Sequence, residues 1–139
     1  MKSKFKNIFL KTNISLLLVA MISINLQAKK VKDTLFFKID NSYLFERDYI
    51  PKSFFIKDRN GHTEFFFQEA EILHNLKPKQ VLFLKYFIRN SKFYINEGRI
   101  ALDIKGLMDY MKKYTIILIR ENEEKIEYIR VITAIVIFD

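Results

Sequence analysis

Two histidines, His62 and His74, and a scatter of carboxylates are the residues of this 139-residue chain suited to moving protons or holding metal. Glu71 and His74 stand three positions apart, which on a helix places them on one face, as in carboxylate-bridged metal sites. Those sites draw on several such pairs, and one pair is not a site. Glu69 and Glu71 are the nearest acidic pair, with Asp103 and Asp109 on another element. Glycoside hydrolysis needs two carboxyls roughly 5–9 Å apart across a cleft, and no spacing here sets that distance. Ser42, Ser53 and Ser91 lack the glycine-flanked elbow that exposes a serine nucleophile. A phosphate-cradling glycine loop and a dinucleotide fingerprint are both missing. With no cysteine, thiol catalysis, thiolate metal sites and disulfides are excluded. No catalytic residue, metal ligand or cofactor is assigned; His74, Glu69 and Glu71 are the candidates if the protein hydrolyses glycan or nucleic acid.

The elements that would position any site are organised around Lys52–Glu69, KSFFIKDRNGHTEFFFQE. Asn60-Gly61 suits a two-residue type I′ turn, and aromatic and β-branched runs flank it, so the stretch predicts a β-hairpin. That turn pairs Arg59 with His62, Lys57 with Glu64, Phe55 with Phe66, Phe54 with Phe67 and Lys52 with Glu69, placing two opposite-charge pairs face to face. One face then carries Phe54, Ile56, Phe65 and Phe67 and belongs to the core. The other carries Phe55 and Phe66 and either lies under a helix or stands open as a two-ring platform.

Met1–Asn13 holds four lysines and no acid, and Ile14–Leu26 is an apolar run broken by Ser15, Ser23 and Asn25, the pattern of a secretory signal peptide. The run is shorter than the roughly 20 residues that cross a bilayer as a helix. Cleavage after Ala28 is expected, giving residues 1–28 as leader and 29–139 as a single domain. Four of the chain's 24 lysines and arginines fall in the leader, so the net charge drops from +8 to about +4. That charge suits solubility and mild attraction to anionic surfaces, and it is not the dense basic stripe of a nucleic-acid binder. The chain's three glycines and two prolines mark no linker.

Along the rest of the chain, Thr34–Ile39 and Ser42–Glu46 read as strands that can pair as a hairpin, and Ala70–Gln80 as a connection with a helical turn. Val81–Ile88 is apolar at seven of eight positions. Pro78 ahead of it and Arg89–Lys92 behind it favour a helix over Lys79–Asn90, packed on much of its circumference. Phe93–Ile100 turns at Glu97-Gly98. Asp103 caps a helix whose stripe is Ile104, Leu107, Met108 and Met111. Tyr114–Glu121 and Ile126–Phe138 are strands about a tip at Glu123-Glu124. Consecutive apolar positions in Thr115–Ile119 and Ile132–Phe138 predict central strands covered on both faces.

Val31–Glu46 and Asn75–Tyr94 resemble small uncharacterised signal-bearing proteins of Bacteroidetes-type bacteria. The resemblance implies a Gram-negative envelope, in the periplasm or at the outer membrane, and brings no activity with it. The expected fold is α+β: an antiparallel twisted sheet of about six strands built from hairpins, with two helices packed on one face. The expected function is a non-catalytic binding or interaction module with an envelope protein or surface ligand as partner. Its working residues would be Phe55, Phe66, Arg59 and His62, or an open sheet edge. No nucleic acid and no transmembrane helix after cleavage are expected. The alternatives are the small hydrolase above and a carrier with a phenylalanine-lined cavity.

Overall fold

Aromatic and β-branched residues dominate Thr34–Phe67 and recur in Thr115–Phe138, and both regions form strands of one curled sheet. The computed structural model describes residues 32–98 and 100–139, and the expected leader lies outside them. In chain order the elements are β1 Thr34–Lys38, β2 Leu44–Arg47, β3 Ile50–Ile56, β4 Thr63–Leu73, α1 Leu84–Arg89, β5 Tyr94–Asn96, β6 Ile100–Leu102, α2 Ile104–Met111, β7 Thr115–Glu121 and β8 Ile126–Ile137. Six strands make one sheet in the order β1-β7-β8-β4-β3-β2, and β5 with β6 makes a small separate hairpin. The fold is mixed α/β, dominated by this mostly antiparallel sheet.

The expectation of a wholly antiparallel, hairpin-built sheet is corrected at one edge. Strand β1 runs parallel to β7, from Thr34 beside Thr115 to Lys38 beside Ile119. It makes no hairpin with β2, which pairs with β3 at the opposite edge. The two edge strands are nevertheless joined by the short segment Ile39–Tyr43. Flat, six strands would hold their outer members about 24 Å apart, more than so short a segment with a turn in it can span. The Asp40 carboxylate tightens that turn by accepting from the amides of Ser42, Tyr43 and Leu44. Curling also lets Arg120 of β7 reach Glu46 of β2 at 2.8 Å, although three strands lie between them in the sheet.

Phe54, Ile56, Phe65 and Phe67 are all buried, as the alternation requires, and join Phe37, Leu118 and Ile129 in the core. Leu84 and Ile88 of α1 and Leu107 and Met111 of α2 belong to the same buried cluster. Ile116–Ile119 are buried in succession, which is how a central strand covered on both faces reads. The matching expectation for Ile132–Phe138 fails, because Ile132, Ile137 and Phe138 are exposed. Pairing with β7 ends at Val131, so beyond it β8 has a neighbour, among the described residues, only in β4.

Near its base the β3–β4 hairpin keeps the expected register, with Ser53 beside Gln68, Phe54 beside Phe67 and Phe55 beside Phe66. The tip departs from it. Asn60 pairs with Thr63, where an unbroken register would bring Asp58, so the two turn residues are Gly61 and His62. Of these only Gly61 has positive φ, +58°, so the type I′ turn, which needs two such residues, gives way to one with glycine first. The strands part because each follows a different neighbour: the Lys57 amide donates to Tyr43 O, while Thr63 and Glu64 pair with Ile137 and Val136. Neither expected charge pair forms. Glu64 turns to Arg47 and Arg59, and Lys52, at φ +60°, leaves the ladder and receives the Gln68 side-chain amide on its carbonyl.

Beyond Phe67 the expected helical turn is replaced by more strand. β4 continues to Leu73 against Tyr128 of β8, with a bulge between Glu69 and Glu71 that absorbs Ala70. The long β8 offers those backbone groups a partner that a lone helical turn would lack. The expected Lys79–Asn90 helix is also shorter. Leu82 bridges Phe37 in parallel, its amide donating to Phe36 O at 2.8 Å and its carbonyl accepting from Lys38 N at 3.1 Å, so the chain stays extended until Leu84.

Asp103 caps α2 as expected, its Oδ1 accepting from the Gly106 amide at 3.0 Å. A Cβ at Gly106 would lie 2.3 Å from Asp103 Oδ2 and 3.0 Å from the Phe93 ring. Alanine normally favours a helix interior by about 1 kcal/mol. Here Gly106→Ala must displace the cap, so its melting temperature is expected to fall by several degrees, and a rise in a thermal melt would contradict the packing.

Candidate functional site

The sequence-predicted site divides once folded. Phe55 and Phe66 stack with centroids 5.0 Å apart and 17° between planes, but they do not form the open platform: Phe55 is buried, with the Arg47 guanidinium 4.0 Å above its ring. Arg47 donates to both oxygens of Glu64, at 2.6 and 2.7 Å, and Arg59 adds a contact at 2.8 Å. Glu64 is only 2% exposed. The Arg47 hydrogen bonds hold its carboxyl below the usual carboxylate range, against the opposing effect of burial. Phe55 is thus sealed by a cation over its ring and an ion pair over that, while Phe66 is half-buried. Arg59 belongs to the seal, and His62 sits exposed in the turn, its carbonyl accepting from the Phe138 amide.

The hydrolase candidates are likewise rearranged. Glu71 lies on strand β4, ion-paired across the sheet to Arg130, and His74 follows the strand end, so the helical Glu71/His74 face is not built. Among the described residues no cluster of three or more His, Asp or Glu could hold a metal ion.

What the fold does build is an aromatic groove of about 650 Å³, walled by Phe83, Tyr86, Phe87, Phe93 and Tyr110, with Lys92 at its rim. In α1 the buried residues are Leu84 and Ile88, one turn apart, and a helix this short offers the core a single stripe. Phe83 and Tyr86 fall off that stripe and stand 47% and 64% exposed, packed edge to face at 6.3 Å. Phe87, between them and the core, meets buried Phe37 edge-on at 5.2 Å. Tyr110 of α2 closes the far wall, 6.4 Å from Phe87 and 5.6 Å from Phe93.

Polar contacts fix these walls. Ser91 Oγ donates to Ile88 O at 2.6 Å and accepts from the Phe93 amide, ending α1 and setting Phe93 in place. Tyr114 donates its hydroxyl hydrogen to Tyr110, and that bond raises the Tyr114 pKa. Arg89 binds Asp58 through two nitrogens at 3.2 Å, and the buried Tyr43 hydroxyl donates to Asp58 at 2.8 Å, tying α1 to the hairpin. Burial, reinforced by that bond, pushes the Tyr43 pKa up.

Among the described residues Lys92 is the groove's single charged lining residue and makes no ion pair; its ammonium lies 5.5 Å from the Phe93 ring centroid. Rigid rings, little polar lining and one cation suit an apolar ligand carrying negative charge. Sequence reasoning missed this surface by packing the Lys79–Asn90 helix on much of its circumference. The signal was the surplus, since seven apolar residues in eight exceed what one helical stripe can hide.

Comparison with protein families, curated proteins and solved structures found no match, so the functional reading rests on the groove and the sheet.

Proposed function

We propose that the protein is a small non-catalytic binding module of the bacterial envelope whose working surface is the aromatic groove. One observation carries the reading: Phe83 and Tyr86 expose large rings beside walls anchored in the core. Exposed apolar surface that is contiguous and set in a groove, unlike a ring standing alone, marks a binding site. The leader-like residues 1–28 and the resemblance noted above support export to the periplasm or outer membrane. Among the described residues no helix is long and apolar enough to cross a membrane. The shared buried cluster of Leu84, Ile88, Leu107 and Met111 supports both helices packing on one face of the sheet, which sets α1 and Tyr110 as opposite walls.

A photo-crosslinking residue placed at Tyr86 in intact cells is expected to give one dominant adduct, with the same residue at Asn60 on the hairpin tip giving none. Adducts at Asn60 and none at Tyr86 would return the function to the hairpin.

A further inference from the structure

The extended segment before α1 supplies a second feature beside the groove. Leu82 turns its amide and carbonyl toward β1, and in an extended chain the flanking residues must then point theirs the other way. The amide and carbonyl of Val81 and the amide of Phe83 accordingly meet no hydrogen-bond partner among the described residues. Such an edge is a template for another strand. Here it borders the groove directly, since Val81, Leu82 and Phe83 are themselves groove residues.

We infer that the groove takes an extended peptide, which adds as a strand along Val81–Phe83, sets alternate apolar side chains among Phe83, Tyr86 and Tyr110, and presents an acidic group to Lys92. The inference rests on the groove being the binding surface and names its ligand class. Three independent features meet in it: unpaired backbone groups give affinity without sequence preference, the rings select alternate apolar positions, and the only charge lining the groove among the described residues is positive. A free small molecule would use the rings and leave the backbone groups unanswered. A peptide strand answers both.

The test begins with selection of a displayed library of random nine-residue peptides on the purified protein. An enriched peptide is then titrated into ¹⁵N-labelled protein. Alternating apolar residues with an acid are expected, together with slowed exchange of the Val81 and Phe83 amides. N-methylation of the peptide amide facing Val81 should weaken binding about tenfold, as should Lys92→Glu, while Lys92→Arg should retain it. Binding that shifts Tyr86 and Tyr110 but leaves both amides exchanging freely would overturn strand addition and keep the groove. Failure to enrich any peptide, while anilinonaphthalene sulfonate binds and is lost in Tyr86→Ser, would overturn the peptide and keep the groove. Absence of both peptide and dye binding at Tyr86 and Tyr110 would overturn the groove itself.

Discussion

Replacing Arg47 by methionine is expected to lower the melting temperature by roughly 10–15 °C at neutral pH, a loss of about 3 kcal/mol. Methionine fills the space over Phe55 but leaves Glu64, 2% exposed, with only the half-exposed Arg59 as counter-ion. Breaking a buried pair costs more than the pair contributes, because the remaining charge is still out of water. Acid should narrow the difference. In the parent protein the folded pKa of Glu64 lies below its unfolded value, so its contribution is full above the ordinary carboxylate range and is lost as pH falls through the folded pKa. In Arg47→Met burial dominates and raises the folded pKa, so the variant recovers as Glu64 takes up its proton. Melts at pH 7 and pH 4 read the sign directly. The double variant Arg47→Met/Glu64→Met should regain most of the stability; if it is as unstable as the single variant, the loss lies in packing over Phe55 and not in the stranded charge.

Removing the last five residues, Ile135–Asp139, should cost a similar 2–4 kcal/mol, while removing Asp139 alone should change nothing measurable. The segment supplies the strand partners of Thr63, Glu64 and Phe65, and Ile135 packs against the core. Beyond Val131 it has no second neighbour in β7 to hold the sheet together in its absence. An unchanged melting temperature in the shortened protein would mean that β4 stays ordered without it. The two changes share Glu64, which pairs with Val136, so combining them should give less than the sum.

Local pattern carried much of this fold. The Phe54/Ile56/Phe65/Phe67 face, the Ser53–Phe55 register and the Asp103 cap all follow from alternation, turn chemistry and helical spacing, which act over a few residues. What escaped was decided at long range. Thr34–Lys38 reads as a strand, but nothing in it says that its partner is β7 and not the neighbouring β2. The Ala70–Leu73 stretch reads as a connection with a helical turn until β8 supplies a ladder for it. Arg47, the key to the Phe55 face, falls just outside the Ser42–Glu46 strand that the sequence predicts, because its partner Glu64 is brought to it only by the folded β2–β3–β4 meander. The groove was hidden by the same limit: an apolar run shows that rings exist, and packing decides which of them the core has room for.

The placement of β1 also sets the order in which the chain can finish. Its partner β7 lies far along the sequence; the nearby contact from Lys32 to Lys112 spans 80 positions. A chain emerging N-terminus first therefore exposes β1, unpaired, until β7 emerges to receive it. Strand β2 finds β3 almost at once, whereas the first strand made is among the last to be satisfied. Through that interval the aromatic stretch TLFFK is held in reserve with its ladder still unmade, and closure of the curled sheet waits on the last quarter of the chain.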